Sequence, residues 1–501
     1  MNQGYTKILE LDEFAGVREQ LALLVTGVRS AEVLRMQHDG VEEWIEDGTT
    51  ELGRRLLQAH LDTRAKEEPE RDHVEGADGV KRGEIKRVRK RQLESVFGEV
   101  QVGRTGYGKE GEESLFPLDA ELNLPERKYS YRLQLKVIKG VAKHSYDSSI
   151  ETVIETTGGK VAKLQAEQIA IEGSMDFEAF YDSRQAEKPE QTTDPLIMST
   201  DGKGISMRRD SLRDCTRTAA EKEKHKHKTR LSKGEKRNRK RMATVVTVHS
   251  IAPHQRTAEM VMGKQEKPKV AEPRARDQRV WASIEREASA VVDEAVQEAL
   301  RRDPERTRPW AMLIDGAEQQ LRNVKSSLKK HGVTHTVLIL DFIHVLEYLW
   351  KAAHSFYAEG SDEAEKWVLE RALKILKGQA SNVAAGIRQS ATKRKLSKQK
   401  RAAADVTANY LLKYKDLLKY DEYMEKGFPI ATGAIEGACR YLVKDRMDLT
   451  GARWSLKGAE AVLKHRSLQK SGDLEAYWKF HKTKTHERIH LSRYAPAKVA
   501  A

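Results

Sequence analysis

Cysteine is almost absent: Cys215 and Cys439 are the only two in 501 residues. That excludes a disulfide framework or a cysteine-built zinc site within one chain, and makes an intracellular setting the simpler expectation. No run reaches the roughly 18 to 20 apolar residues of a membrane helix. The opening stretch MNQGYTKILELDEFAGVREQ has no basic segment followed by an apolar one, so a soluble, unexported chain is expected. Glycine-rich phosphate loops are missing too, since TDGKG and ETTGGK lack the spacing of a dinucleotide or Walker fingerprint. Aromatic residues are few, at 6%, and do not interleave with the basic runs, so single-strand base stacking is unsupported.

What is abundant is positive charge. The formal net charge is +14, which favours polyanionic partners without separating DNA from RNA or an anionic membrane. Lys and Arg concentrate in KRGEIKRVRKR (81–91) and in KEKHKHKTRLSKGEKRNRKR (222–241), and the second run suits nucleic acid phosphate or a solvated loop. The length predicts roughly two to four domains.

Residues 1 to about 70 repeat apolar residues every three or four positions and read as helical. The stretch 93–108 alternates like strands and turns, and FPLDAELNLPE (116–126) is a turn-rich exit. Residues 129–170 parse as three short helices broken at 145–148 and at TTGG (156–159), which suits a helix-turn-helix module with Ser145 or Asp147 as a cap. From 194 to 350, apolar runs at 195–200, 242–248, 310–314 and 337–340 alternate with helical pieces at 281–300 and 317–330, which predicts an α/β layer. Residues 361–427 are again helical, with the basic stretch RQSATKRKLSKQKR between two of the helices.

Three of the apolar runs end on an acid: DPLIMSTD on Asp201, RPWAMLID on Asp315 and VLIL on Asp341. Strand ends gather at one rim of a sheet, where these acids would converge on a ligand, although each also suits a turn or a helix cap. Carboxylates clustered with no nearby lysine call for a divalent cation, and oxygen ligands suit Mg²⁺. Two ions about 4 Å apart clamp a phosphodiester during transfer. A further acid, Glu436, stands in TGAIEGACRYLVKDRM, with Arg440 and Lys444 at one-turn steps after it.

At these residues the chain resembles DDE transposases with a ribonuclease H-like core, most closely the Kra-type enzymes of bacterial insertion sequences. The stretches that carry the likeness are STDGKGISMR, MATVVTVHSIAP, WAMLIDGAEQQL, LILDFIHVLEYLWKAA and GAIEGACRYLVKDRMDLTGARW. The resemblance implies Asp201, Asp315 and Glu436 as catalytic, metal-holding residues for Mg²⁺, with Mn²⁺ able to substitute. It implies Asp341 and His344 as an auxiliary Asp-x-x-His element, and Arg440, Lys444, Arg446 and Arg453 as DNA-phosphate contacts, with Arg453 positioned beside Trp454. Trp350 is expected to pack. Relatives carry cysteine pairs before the segment matching FPLDAELNLPE, and residues 92–126 have none.

The resulting expectation is a multidomain α/β chain: a helical region at 1–90, a small strand segment and helix-turn-helix-like DNA-binding region at 91–190, the first part of the core at 191–355, a helical insertion at 356–430, and core completion with C-terminal helices at 431–501. The implied function is binding of terminal inverted repeats, metal-dependent DNA cleavage and strand transfer into target DNA. A homo-oligomer on double-stranded DNA and a cytoplasmic, nucleoid-associated place in a bacterium go with it. The alternatives are a sequence-specific DNA-binding protein without catalysis and a structure-directed nuclease on the same core.

Overall fold

The computed structural model describes residues 11–184, 189–223, 226–227, 231–232, 235, 237–263 and 272–495, apart from the side chains of 85–88 and 450. Within the basic run 222–241, residues 224–225, 228–230, 233–234 and 236 lie outside the described residues. The chain divides into two compact units, Met1–Phe180 with Leu474–Ala501, and Tyr181–Asp473. No helix among the described residues is long and apolar enough to cross a membrane.

The first unit is built on helices Ala15–Gly27 and His38–Lys66, a small ribbon of β1 (Val74–Glu75) and β2 (Lys81–Arg82), and a long hairpin of β3 (Glu84–Ser95) and β4 (Gly98–Gly108). Leu61 of the long helix is buried with Leu93, Val100 and Val102 of the hairpin. The expected boundary between 90 and 91 therefore falls inside β3. Residues from Leu474 on group with this unit rather than with the core, because Tyr477 and His481 of the Leu474–Ile489 helix are buried against Gly173 and Asp176. The basic stretch 81–91 spans β2 and the first part of β3, and Arg82 is buried, held by Asp78. Three short helices follow at Tyr131–Val141, Tyr146–Glu155 and Lys163–Glu172. Ser145 caps the middle one by accepting from the Ser148 amide at 3.1 Å, as its sequence predicts.

The second unit holds a mixed five-stranded sheet: β5 (Leu196–Ser206), β6 (Lys240–Ser250), β7 (Arg276–Ser283), β8 (Trp310–Ile314) and β9 (Val337–Leu340), in the order β7-β6-β5-β8-β9. β6 runs antiparallel to β5 and β7, while β5, β8 and β9 are parallel. β8 is a short apolar run buried along its whole length, whereas β5 and β6 extend past the parallel pairing as a two-stranded ribbon. Two expectations change here. β5 does not stop at Asp201 but continues to Ser206, paired throughout with β6 from Leu196↔Ser250 to Ser206↔Lys240. The helix expected over 281–300 begins only at Ala288, because Val280–Ser283 pair with β6.

Four helices follow the sheet's last strand and its helix Phe342–Ala353: Asp362–Leu376, Ala380–Lys393, Lys398–Lys413 and Tyr420–Glu425. The chain then returns to the sheet. Trp454 and Met207 form a parallel bridge at the end of β5, with the Arg208 amide donating to the Trp454 carbonyl at 2.8 Å.

Candidate functional site: a carboxylate rim

Register places the acids. β5 pairs with β8 only from Leu196↔Trp310 to Ser199↔Leu313, and β8 with β9 as far as Ile314↔Leu340. Asp201, Asp315 and Asp341 thus each stand one or two residues beyond the parallel pairing, although Asp201 remains inside its own strand.

Asp201 and Asp315 are both half-buried. Burial, and beyond it the negative charge of Asp201, push the Asp315 carboxyl above its ordinary value, while its hydrogen bond from the Ala317 amide at 2.7 Å opposes the rise. Gln320 clips the two strand ends together: its Oε1 accepts from the Asp315 amide at 2.9 Å and its Nε2 donates to the Thr200 carbonyl at 2.6 Å. The expectation of no lysine nearby does not hold, since Lys203 shares the Asp201 face of β5 and its charge reaches the Cys439 thiol.

Asp341 is nearly fully buried, at 2% exposure, and caps the Phe342–Ala353 helix by accepting from the Ile343 amide at 3.0 Å. It also accepts from the Thr432 hydroxyl and from His344 Nδ1 at 3.1 Å. Burial works against its charge, but these hydrogen bonds prevail and hold its carboxyl below the ordinary value. In return, the hydrogen bond to Asp341, helped by the charge of Asp315, raises the His344 imidazole above its usual value against the pull of burial. The His344 ring is thus half-exposed, with the charge of Asp315 acting on it beside that of Asp341.

Glu436 is exposed on the short helix Gly433–Ala438, which continues as a π-helical turn over Cys439–Lys444. A π-turn weakens its own carbonyl ladder, and here the buried Arg466 donates to the carbonyls of Tyr441 and of Leu442, the latter at 2.6 Å. One turn after Glu436, the Cys439 thiol donates to Asp201 Oδ2 at 3.2 Å. Burial, then the Asp201 charge, keep that thiol protonated well above its ordinary value. The structure thus places Asp201 and His344 each within electrostatic reach of Asp315 and ties the Glu436 helix to Asp201 through Cys439. Among the described residues, no group of three or more His, Cys, Asp and Glu side chains is arranged to hold a metal ion.

Of the four expected phosphate contacts, Arg440, Lys444 and Arg453 are exposed. Arg446 is not: it is 2% exposed, with its guanidinium 4.7 Å from the centre of the Trp454 ring. It packs the Met447–Trp454 turn instead of meeting phosphate, and it is Arg446, not Arg453, that lies on Trp454. Trp350 departs from expectation in the other direction, being 37% exposed on the outer face of its helix with Ile343.

Sequence reasoning missed four tyrosines. Tyr410 donates to the Asp315 carbonyl at 3.2 Å, Tyr414 to Gly316 at 2.7 Å, Tyr420 to Leu340 at 2.7 Å and Tyr423 to Leu338 at 3.3 Å. The helices after β9 thereby satisfy main-chain acceptors of the β8 and β9 ends. The only signal was the spacing of tyrosines in NYLLKYKDLLKYDEY, which place one residue every three to six positions.

No protein-family model and no curated protein matches the chain. Among solved structures it is similar to the Drosophila P element transposase strand transfer complex, with 8% identity and a TM-score of 0.24, over 72% of this chain and 82% of that one.

Proposed function

We propose that this chain is a DNA phosphoryl transferase of the DDE transposase type, with Asp201 and Asp315 as its central pair and Glu436 as the third acid. The observation that carries the reading is that two half-buried carboxylates stand at the ends of the paired parallel strands β5 and β8, which Gln320 bridges, with the Asp201 charge helping to raise the Asp315 carboxyl. A ribonuclease H-like core is the fold reading that this mixed sheet supports. Two like charges held by Gln320, the sheet and Cys439 suit a hard divalent cation, which takes one or two carboxylates plus substrate phosphate. When bound, such an ion supplies charge neutralisation at the scissile phosphate.

The residues themselves do the rest. His344, whose protonated form is favoured by Asp341, offers a hydrogen-bond donor to a phosphate oxygen beside Asp315. Exposed Arg440, Lys444 and Arg453 hold the flanking backbone. In the first step water attacks phosphorus at an element end and the P–O3′ bond breaks, leaving a 3′-hydroxyl and a 5′-phosphate. In the second that hydroxyl attacks a target phosphodiester, whose own 3′-oxygen leaves with the proton. Terminal inverted repeats as the recognised ends, and a paired assembly on DNA, belong to the same proposal.

The test is end cleavage and joining with Mg²⁺ or Mn²⁺ on labelled DNA carrying the flanking ends, with Asp201→Asn and Asp315→Asn in parallel. Nicking and joining by the parent, lost in both variants while end binding persists, is the expected result. Normal cleavage by either variant overturns the assignment. A non-catalytic DNA-binding protein is the second reading, favoured by the exposure of Glu436 away from a three-acid cluster. It predicts specific binding with no cutting by any of the three proteins.

A further inference from the structure

We infer that the tip of the helical hairpin Ala380–Lys393 and Lys398–Lys413 is a second contact surface for duplex DNA, gripping phosphate at a distance from the carboxylate rim. From Arg371 through Ala404 the chain has ten Lys and Arg and no Asp or Glu. Six of the ten crowd into 393–401. Two of these have partners within the fold: Arg394 donates to the Phe356 carbonyl at 3.0 Å and to the Tyr357 hydroxyl at 2.9 Å, and Arg401 pairs with Asp405 at 2.8 Å. The other four, Lys393, Lys395, Lys398 and Lys400, are exposed and have no ion-pair partner among the described residues.

Folding does not account for them. Four ammonium groups on one tip repel each other, and Lys398 and Lys400 stand in the first turn of a 16-residue helix, where the dipole disfavours cations. Lys395 occupies the left-handed region at φ +49°, a place after a helix end that glycine fills with least strain. A polyanion across the tip relieves the charge terms together, and duplex DNA presents one negative charge per roughly 1.7 Å of axis.

The position fits the same substrate. Lys398 begins the helix whose other end carries Tyr410, bonded to the Asp315 carbonyl. The intervening helix spans about 18 Å at 1.5 Å per residue, on the order of half a turn of B-form DNA. The tip is thus within reach of a duplex engaged at the rim, on the scale of a single helical turn. The inference rests on the DNA-acting reading of the rim, but its test requires no cutting.

The experiment uses the full chain with Lys393, Lys395, Lys398 and Lys400 all changed to Ala, and a second variant with all four changed to Arg. Binding to a random-sequence duplex is titrated across a salt series, with phosphatidylserine vesicles as a second probe. For the Ala variant, duplex affinity at about 0.1 M salt should fall at least tenfold and the log–log salt slope should shrink by about 3 to 4, since each phosphate contact contributes roughly 0.9. The Arg variant should bind as the parent does. Unchanged duplex affinity and slope in the Ala variant overturns the proposal, as does an Arg variant as weak as the Ala one, or a loss confined to the vesicles. Failure of the rim reading looks different: parent and Arg variant bind duplex with the expected slopes and cut nothing. A parent that binds no duplex defeats both.

Discussion

Thr432 and Asp341 fasten the helix that carries Glu436 to the end of the last core strand. The Thr432 hydroxyl donates to Asp341 Oδ2 and its amide to Oδ1 at 3.3 Å, while the Phe342 amide bonds to the Ile430 carbonyl at 2.9 Å. Thr432→Val keeps the shape and removes the hydroxyl, leaving a buried carboxylate short of one donor. Urea unfolding should show a loss of about 1 to 3 kcal/mol. On the proposed function, end cleavage should slow while duplex affinity stays put. A variant with parental stability and cleavage would show that this tether does not position the helix.

The Asp341–His344 pair gives stability a signature in pH. The folded Asp341 value is lowered, so its contribution is present above the ordinary carboxylate value of 3.8 and is lost as pH falls through the folded value. The folded His344 value is raised, so its contribution is complete below the ordinary imidazole value of 6.5 and is lost as pH rises through the folded value. Both act together between those two ordinary values. Unfolding free energy measured across pH should decline on the alkaline side of that window, and His344→Gln should remove that part of the decline. An unchanged alkaline limb in the variant would mean that His344 is not the titrating group.

How much of this was legible in the sequence follows from the range of the forces involved. The runs at 310–314 and 337–340 were readable because the short parallel strands of this sheet are written as continuous apolar residues. Residues 202–206 were not, because Gly202, Lys203 and Gly204 carry no strand signature and are held by pairing with a strand some forty residues on. Trp281 was assigned to a helix for the same reason. The Ser145 cap was local and legible. Burial of Arg446 and exposure of Trp350 were not, since each depends on which elements cover that spot. The tyrosine hydroxyls that meet strand-end carbonyls are the extreme case, because Tyr410 and Asp315 are 95 positions apart.

Those tyrosines support a third expectation. Gly316 sits at φ +87°, and a Cβ there would lie 2.8 Å from the Tyr410 hydroxyl and 2.9 Å from Leu340 Cδ1. Gly316→Ala combines left-handed strain with a clash against the group that holds Asp315, and should destabilise the chain by about 1 to 3 kcal/mol. Tyr410→Phe leaves the packing and removes only the hydroxyl, for about 1 kcal/mol. Thermal unfolding of both should rank Gly316→Ala as the more damaging. The reverse order would mean that the rim has room for a methyl group.

Far from the rim, Glu298 tests whether the sheet's other edge depends on charge balance. It is 2% exposed and accepts from Arg279 at 2.7 Å, Arg301 at 2.8 Å and Arg302 at 2.7 Å. Burial alone would raise its carboxyl, yet the three guanidiniums hold it well below the ordinary value. Arg279 is further enclosed, with its guanidinium 3.5 Å from the centre of the Tyr181 ring and 4.4 Å from that of Trp281. Glu298→Gln preserves the volume and leaves three arginines at this edge without the carboxylate they share. Breaking a buried pair in this way removes about 3 to 5 kcal/mol. Chemical unfolding should show a loss of that size, whereas a change under about 1 kcal/mol, the range of an exposed ion pair, would mean that water already screens the cluster.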